Sequence, residues 1–152
     1  MSDATRMLTG AVDLGQLPET IGYTLRRAQI SVFQDFHNGM AALELRPAQF
    51  SVLHVLRHNP GVRPSQVAEA LAIKRTNFVP LLDELEGRGL VERRRDPEDG
   101  RAFSLHLSAE GEALLRRAER LVRTHERRVA ARLEPGGAAQ LLRLLRQLTT
   151  TY

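Results

Sequence analysis

A run of hydrogen-bond donors, Lys74-Arg75-Thr76-Asn77, stands at the start of a predicted helix. Such side chains can donate to phosphates or to the edges of bases. The same helix ends in three acids, Asp83, Glu84 and Glu86. This order opposes the helix macrodipole, which favours acids at the N-terminus by about 0.3–1 kcal/mol per charge. Either these charges are solvated on an exposed face, or the basic end of the helix enters the major groove of DNA and the acidic end points away.

A second group of cations flanks a turn further along the chain. Arg93, Arg94 and Arg95 precede the turn-forming segment 96–100, and Arg101 follows it. Since side chains alternate between the two faces of a strand, Arg93 and Arg95 share one side while Arg94 points to the other. These arginines therefore cannot all reach one phosphate.

The elements around these side chains form a helix-turn-helix followed by a hairpin. Two apolar faces at helical spacing predict two short helices joined by a tight turn. Gly87 and Gly89 are expected to stop the second helix, because glycine accepts the left-handed conformation at a helix end. Apolar and polar residues then alternate on both sides of segment 96–100, which predicts two strands and a wing. The two helical faces consist of Val67, Ala68 and Leu71, and of Phe78, Leu81, Leu82 and Leu85.

These features resemble the MarR-type winged helix-turn-helix regulators. The resemblance rests on motifs in fixed order: Gly89-Leu90-Val91-Glu92-Arg93, Asp99-Gly100-Arg101 and Leu107-Ser108-Ala109-Glu110-Gly111. Helices of the expected lengths extend it from about Leu17 to about Leu148. It implies a mainly α fold, a winged helix-turn-helix with flanking dimerisation helices and a two-stranded wing hairpin. It also implies a ligand-responsive repressor that binds a palindromic DNA operator as a homodimer.

The predicted organisation places one winged lobe between terminal helices. Residues 1–16 form a flexible N-terminal arm, 17–46 a dimerisation helix, 47–107 the DNA-binding lobe and 108–152 the C-terminal dimerisation helices. Apolar residues recur at three and four from Leu17 to Phe36, and leucine occupies positions 141, 142, 144, 145 and 148. One small domain does not need so much apolar surface, so we expect the terminal helices to bury against a partner chain.

The resemblance implies DNA contacts in both the helix-turn-helix and the wing. Arg101 is expected to reach into the minor groove, while Asp99 steadies the wing by an ion pair. Alternatively, these two residues only close the hairpin. The predicted DNA-binding residues are Ser65, Lys74, Arg75, Thr76, Asn77, Arg93, Arg95, Asp99 and Arg101.

Two positions depart from the family pattern. Ala72 replaces the glycine that is common in the turn, so the turn is expected to differ slightly. Pro80 stands where relatives often have arginine. Because a proline inside a helix costs about 3 kcal/mol or more, the second helix is expected either to begin late, near Thr76 or Asn77, or to be kinked.

A small effector, an aromatic acid or its thioester, is implied by the same resemblance. It would bind between the dimerisation helices and the DNA-binding lobe. An arginine beside aromatic rings can hold a carboxylate through two parallel hydrogen bonds; aromatic residues at helical spacing that simply form core are the alternative. The candidate effector-binding residues are Tyr23, Arg26, Arg27, Phe33 and His37 on the first helix, and Phe50 and His54 on the second.

Histidines offer weaker signals. His54 and His58 are four residues apart, a spacing that can chelate a metal. No cysteine accompanies them, and no acid can be placed beside them from the sequence, so neither a metal site nor a cofactor is predicted. His125, on an apolar stripe, is interpreted as an interface histidine.

Composition limits the remaining classes of function. A chain of 152 residues suits one domain, and its formal charge of +4 favours polyanionic partners. Neither a signal peptide nor an apolar run of about 20 residues occurs, so the protein is expected to be cytoplasmic and to have no membrane partner. No catalytic motif occurs, which argues against an enzyme. The alternative to a DNA-binding regulator is a winged-helix adaptor that has lost sequence-specific DNA binding, an idea motivated by Pro80.

Overall fold

The computed structural model describes residues 12–149 as helices joined by short loops, with one two-stranded sheet. The helices are α1 (Ile21–Met40), α2 (Pro47–His58), α3 (Pro64–Ala70), α4 (Arg75–Gly87), α5 (Ala109–Ala130) and α6 (Gly137–Thr149), and the strands are β1 (Val91–Arg95) and β2 (Phe103–Leu107). Single turns of 3-10 helix occupy Leu17–Glu19 and Ala41–Leu43. The mainly α, winged fold is confirmed. Most of the predicted N-terminal arm lies outside the described residues.

The chain divides within α1 into two compact units, one ending at Asp35 and the other beginning at Phe36. The second unit contains the helix-turn-helix, the wing and both C-terminal helices. Its elements therefore position every residue of the predicted DNA-binding set.

Helices α2 and α3 begin with the same local sequence, Arg-Pro-x-Gln, at 46–49 and 63–66. Proline occupies the first helical position, where its missing N–H has no intrahelical acceptor and its φ already suits the helix. The glutamine side chain accepts a hydrogen bond from the backbone N–H of the arginine, at 2.9 Å in α2 and 3.1 Å in α3. Arg46 and Arg63 therefore precede their helices at equivalent positions.

The turn between α3 and α4 has the left-handed backbone that glycine usually supplies. Ala72 has φ +51 there, at a cost of about 1–2 kcal/mol for a residue with a Cβ. The Ile73 N–H donates to the Ala68 carbonyl at 2.9 Å and closes the turn. The turn therefore keeps the shape that glycine usually gives it, and Ala72 adopts a strained backbone conformation.

The second helix of the pair, α4, begins at Arg75, so the expected late start near Thr76 or Asn77 is wrong. The Lys74 carbonyl accepts hydrogen bonds from the N–H groups of Asn77 and Phe78, both at 2.9 Å. These bonds close the first turn ahead of Pro80.

Pro80 lies inside α4 on its exposed side. Because proline has no N–H, the Thr76 carbonyl lacks its donor one turn later. Thr76 is also exposed, so water can satisfy this carbonyl. Exposure therefore limits the cost of a proline within the helix.

Gly89 ends α4 in the left-handed conformation, with φ +70. The Leu90 N–H donates to the Leu85 carbonyl at 3.0 Å and the Gly89 N–H to the Glu86 carbonyl at 2.9 Å. This pair of bonds defines a Schellman helix end. Gly87 is the last helical residue and has no positive φ, so only Gly89 stops the helix as expected.

Strands β1 and β2 pair antiparallel, with Val91 opposite Leu107 and Arg95 opposite Phe103. Val62, in the loop before α3, bridges to β2 through the fully buried Leu105, whose N–H donates to the Val62 carbonyl at 2.9 Å. The base of the wing is thereby fixed to the start of the helix-turn-helix.

The wing also packs closely on the start of α5. The Ser108 hydroxyl accepts a hydrogen bond from the Gly111 N–H at 2.9 Å and donates to the Gly89 carbonyl at 2.6 Å, so Ser108 caps α5. A Cβ at Gly111 would lie only 2.1 Å from the Leu90 carbonyl oxygen. Position 111 therefore requires glycine, because no side chain fits between α5 and the start of β1.

Apolar side chains of the terminal helices remain exposed in the single chain. Helix α6 buries none of its residues, and Leu142 and Leu148 are 52% and 59% exposed. In α1, Ile21, Leu25 and Phe33 are exposed as well. Between residues 12 and 149, no helix has the length and apolar character needed to cross a membrane.

Candidate nucleic-acid interface

A groove of about 600 Å³ runs between α3, α4 and the wing. It brings together four residues predicted to contact DNA: Ser65, Arg75, Arg93 and Arg101. Lys74, Thr76 and Asn77 are exposed at the same end of α4. The full lining is Arg63, Pro64, Ser65, Ala68, Ile73, Arg75, Phe78, Val79, Leu82, Arg93, Arg101, Ala102 and Phe103.

The N-terminal end of α4 is left open to an anion. The first N–H groups of any helix have no intrahelical acceptor, and no side chain caps α4 or places an acid in its first turn. Helix α5 shows the opposite arrangement, with the Ser108 cap and with Glu110 and Glu112 in its first turn. Helix α5 thus begins with the cap and the acids that stabilise a helix N-terminus. Helix α4, where DNA binding is predicted, has neither.

Arginines pair with the acids at the other end of α4. Asp83 and Glu86 both pair with Arg93 of β1, Glu86 at 2.9 Å. Glu84 pairs with Arg46, the residue before α2. Each acid at this end of the helix therefore has an arginine partner within the protein.

Four exposed cations lack such partners. Lys74, Arg75, Arg95 and Arg101 form no ion pair with any residue between 12 and 149. Unpaired cations therefore lie at the N-terminal end of α4 and on the wing, where they would meet a polyanion.

Two wing residues have partners other than those expected. Arg93, predicted to contact DNA, has its charge balanced by α4 and a side chain only 28% exposed, so it fastens β1 to that helix. Asp99 accepts a hydrogen bond from the backbone N–H of Arg101 at 3.1 Å and forms no ion pair with its guanidinium. An aspartate in a turn commonly bonds the backbone two residues on, which leaves the Arg101 side chain unpaired.

Arg63 belongs to the groove but was missed from the sequence. It precedes α3 and is exposed, and its Nη2 atom lies 3.8 Å from Oδ2 of Asp96 in the wing. The signal was the Arg-Pro-Ser-Gln start of α3, which places a cation at the entrance of the helix-turn-helix. Val79 and Phe103, both exposed, add apolar surface to the same groove.

The predicted effector residues are distributed along α1 and α2. Tyr23, Arg26, Arg27 and Phe33 lie on α1 before Asp35; Tyr23 is half-buried and the other three are exposed. His37, near the end of α1, lines a cavity of about 490 Å³ in the second unit together with Met40, Ala41, Glu44, Leu45, Arg46 and Glu84.

Phe50 and His54 stack on each other along α2, with ring centroids 5.8 Å apart. Phe36 continues this row of rings, 6.1 Å from Phe50 and 5.4 Å from His125. Phe36 and His125 are buried whereas His54 is exposed. The row therefore runs from the core to the surface, and Phe50 contributes to core packing.

Arg57 joins α2 to α5 through two carboxylates. Its Nε atom lies 3.0 Å from Oε2 of Glu112 and its Nη1 atom 2.6 Å from Oε1 of Glu119. The hydrogen bond from Arg57 lowers the pKa of Glu119 against the opposing effect of desolvation. Nδ1 of His54 lies 3.4 Å from the same carboxylate. Among the residues that the structure describes, no three His, Asp or Glu side chains are grouped to hold a metal ion.

Comparisons with known proteins match nearly the whole chain. The sequence model of the MarR family matches residues 43–102. A putative transcriptional regulatory protein for the hcr operon of Thauera aromatica is 32% identical over 135 residues, which are 88% of this chain and 81% of that protein. The structure of the transcriptional repressor CouR bound to a 23-mer DNA duplex is 45% identical, with a TM-score of 0.86 over 91% of this chain and 98% of CouR. CouR bound to p-coumaroyl-CoA is 43% identical, with a TM-score of 0.86 over 93% and 99%.

Proposed function

Because this chain belongs to the MarR family of transcriptional regulators, we propose that it is a repressor that binds a palindromic DNA operator as a homodimer and is released by an aromatic effector. The separation of paired from unpaired charge around one groove carries this proposal. Each acid of α4 pairs with an arginine, while no described residue forms an ion pair with the four exposed cations at its other end and on the wing, Lys74, Arg75, Arg95 and Arg101. The likeness to CouR, solved with a DNA duplex, supports it.

In this proposal the N-terminal end of α4 enters the major groove. Phosphates or base edges there accept hydrogen bonds from Lys74, Arg75, Thr76 and Asn77. The adjoining DNA backbone accepts one from Ser65 of α3. The N–H groups of Arg75 and Thr76 in the first turn of α4, which no described side chain caps, are available to a phosphate oxygen.

The wing contacts the duplex beside α4. Arg95 and Arg101 supply its cations, with Arg101 directed to the minor groove, and Asp99 fixes the turn that presents Arg101. Arg93 acts indirectly in this scheme, since its two ion pairs hold the wing against α4.

Dimerisation follows from the exposed apolar faces of α1 and α6. Leucines that stay more than half exposed in one chain favour burial against a second copy. A two-fold dimer presents two α4 helices to half-sites that lie roughly 34–36 Å apart, one turn of B-form DNA. The operator is therefore expected to be palindromic.

The effector we propose is an aromatic acid or its thioester. CouR has been solved with p-coumaroyl-CoA, the coenzyme A thioester of an aromatic acid, which supports this chemical class. The candidate contacts are Tyr23, Arg26, Arg27, Phe33, His37, Phe50 and His54, which combine guanidinium groups with aromatic rings. The stacked rings of Phe50 and His54 suit a flat aromatic group.

Binding to the DNA upstream of the protein's own gene tests the proposal. Fluorescence anisotropy should show specific binding that weakens by about 10³–10⁵ between about 50 and 200 mM salt, as expected for six to ten phosphate contacts. p-Coumaroyl-CoA or p-coumaric acid should release the labelled duplex, whereas coenzyme A alone should not. A dimer that binds no duplex at low salt would favour the adaptor, and substrate turnover by the purified protein would favour an enzyme.

A further inference from the structure

The segment 41–46, which we call the connector, joins α1 to α2 and contacts the far end of α4. Arg88, the residue that follows α4, donates hydrogen bonds to two connector carbonyls, Glu44 at 2.8 Å and Leu43 at 3.0 Å. A guanidinium group can donate to two acceptors at once because its N–H groups form a rigid fork. Arg88 therefore fixes the C-terminal end of α4 to the backbone of the connector.

A second link runs in the opposite direction. Arg46, the last connector residue, pairs with Glu84 of α4. The cavity that His37 lines adjoins this pair, since Arg46 and Glu84 line it too. The end of α1, the connector and the C-terminal end of α4 thus meet at one place.

The connector has a fixed shape. Glu44 has φ +48, a conformation that residues with side chains rarely adopt. Leu43 and Leu45 on either side of it are buried in the core. The two carbonyls that accept from Arg88 are therefore held in place by packing on both sides of a left-handed residue.

Arg88 acts on one end of α4, whereas the proposed DNA contacts lie at the other. The 13 residues of α4 span about 20 Å at 1.5 Å per residue. A small rotation at Arg88 therefore becomes a larger displacement at Lys74 and Arg75. No described element besides the connector accepts a hydrogen bond from the Arg88 side chain.

We infer that Arg88 is a positioning residue that sets the orientation of α4 from the connector, so that a shift at the end of α1 reaches the DNA-binding end of α4. This inference rests on the proposed function, because the movement it transmits is the one that releases DNA. Arg46 and Glu84 reinforce the same joint by charge.

The test is the coupling between effector and DNA, which is the factor by which saturating p-coumaroyl-CoA weakens DNA affinity. In Arg88→Ala this factor should fall about fivefold or more, while affinity for p-coumaroyl-CoA without DNA stays within about threefold of wild type. Arg88→Lys should give an intermediate factor, because an ammonium group does not reproduce the fork. Arg123→Ala, which removes an exposed arginine of α5, should keep the wild-type factor.

A second readout requires no effector. Lengthening the operator by two base pairs between its half-sites should weaken wild-type binding strongly and Arg88→Ala binding less, because α4 is less rigidly held. If Arg88 had a purely structural role, Arg88→Ala would lower the melting temperature. It would change neither the coupling factor nor the loss of affinity on lengthening the operator.

Each outcome contradicts a different hypothesis. A wild-type protein that binds no DNA overturns the proposed function, and with it this inference. If wild type binds DNA but ignores p-coumaroyl-CoA, the effector class is wrong and the spacing experiment alone decides on Arg88. Wild-type values of the coupling factor and of the spacing ratio in Arg88→Ala and Arg88→Lys overturn the inference.

Discussion

Arg93 and Arg101 both line the groove beside α4, but only Arg93 has carboxylate partners. Arg101→Ala should weaken binding to all DNA sequences and lower the slope of log affinity against log salt by about 1, because one cationic contact is lost. The free energy of unfolding should change by less than about 0.5 kcal/mol. Duplex titrations at several salt concentrations, with urea denaturation alongside, measure both quantities.

Arg93→Ala is the matched comparison for Arg101→Ala. It should lower the free energy of unfolding by about 1 kcal/mol through the loss of two partly exposed ion pairs. The salt slope should stay nearly unchanged, because Asp83 and Glu86 already balance this arginine. If Arg101→Ala leaves both affinity and slope at wild-type values, the wing does not meet DNA.

For single residues, the sequence predicted which side chains carry charge better than it predicted their ion-pair partners. The donors at the start of α4 are exposed, as are Arg95 and Arg101 of the wing. Of these side chains, Arg75 and Arg101 line one groove, and their contacts with DNA stay a prediction. The ion pairs of Arg93 could not be predicted, because Asp83 lies on another element and comes close only when β1 packs on α4. Arg63 was missed because its neighbours in sequence form an ordinary helix start.

At the scale of elements, the backbone at the start of the wing passes close to α5 at Gly111. Gly111→Ala should lower the free energy of unfolding by about 3 kcal/mol, since the new Cβ would lie 2.1 Å from the Leu90 carbonyl oxygen and 2.7 Å from Cδ1 of Leu107. Gly87→Ala, at a helical position with no neighbour within 4 Å, should be neutral or stabilising by up to about 1 kcal/mol. Urea denaturation compares the two; equal stabilities would show that α5 shifts to make room.

The Arg57 clamp between α2 and α5 should depend on pH. Its hydrogen bond holds the pKa of Glu119 below the usual 4.5, so the stabilisation is complete above about pH 4.5 and is lost as the pH falls through the lower folded-state value. Glu119→Gln should therefore cost about 1 kcal/mol at neutral pH, and its deficit relative to wild type should narrow toward about pH 3.

Glu126→Gln supplies the control for the clamp. Glu126 is exposed on the same helix and forms no ion pair with the described residues. Its replacement should change stability by less than about 0.5 kcal/mol at either pH. A deficit of Glu119→Gln that stays constant from neutral to acid pH would contradict the role assigned to the carboxylate charge.

The order and type of the elements followed from the hydrophobic periodicity of the sequence, which differs between helices and wing strands. The start of α4 could not be predicted from this periodicity. Pro80 suggested a late start, yet the helix tolerates it since the freed carbonyl at Thr76 is exposed. Ala72 shows that a turn normally made by glycine can be imposed on alanine by the packing of the two helices around it.

For the whole molecule, the proposed dimer is open to a direct test. Leu142→Glu should convert dimer to monomer and weaken operator binding, because a charge would be buried where leucine packs against the partner. Gln140→Glu, also exposed on α6, is the control with the same added charge. Sedimentation equilibrium measures the mass; a dimeric Leu142→Glu protein would show that this face of α6 is not the interface.

The sequence predicted least about how two chains assemble. The leucines of α6 predicted a partner, since one chain buries none of that helix. The effector residues could be proposed only as a set of aromatic and basic positions, because which faces meet around a ligand depends on the second chain. The pairing of Phe50 with Phe36 shows how one residue can suit both a core and a ligand site.

The charge arrangement on α4 also affects how the protein reaches DNA. Each acid near the C-terminal end of α4 pairs with an arginine, whereas Lys74 and Arg75 at the other end form no ion pair with a described residue. The unpaired positive charge of the helix therefore creates an electric field at its N-terminal end. At physiological salt such a field extends about 8 Å into solution, so the diffusing protein is rotated toward its productive orientation before the surfaces touch. Encounters that would otherwise be wasted on misaligned approaches become useful, and the gain in association rate disappears as ionic strength rises.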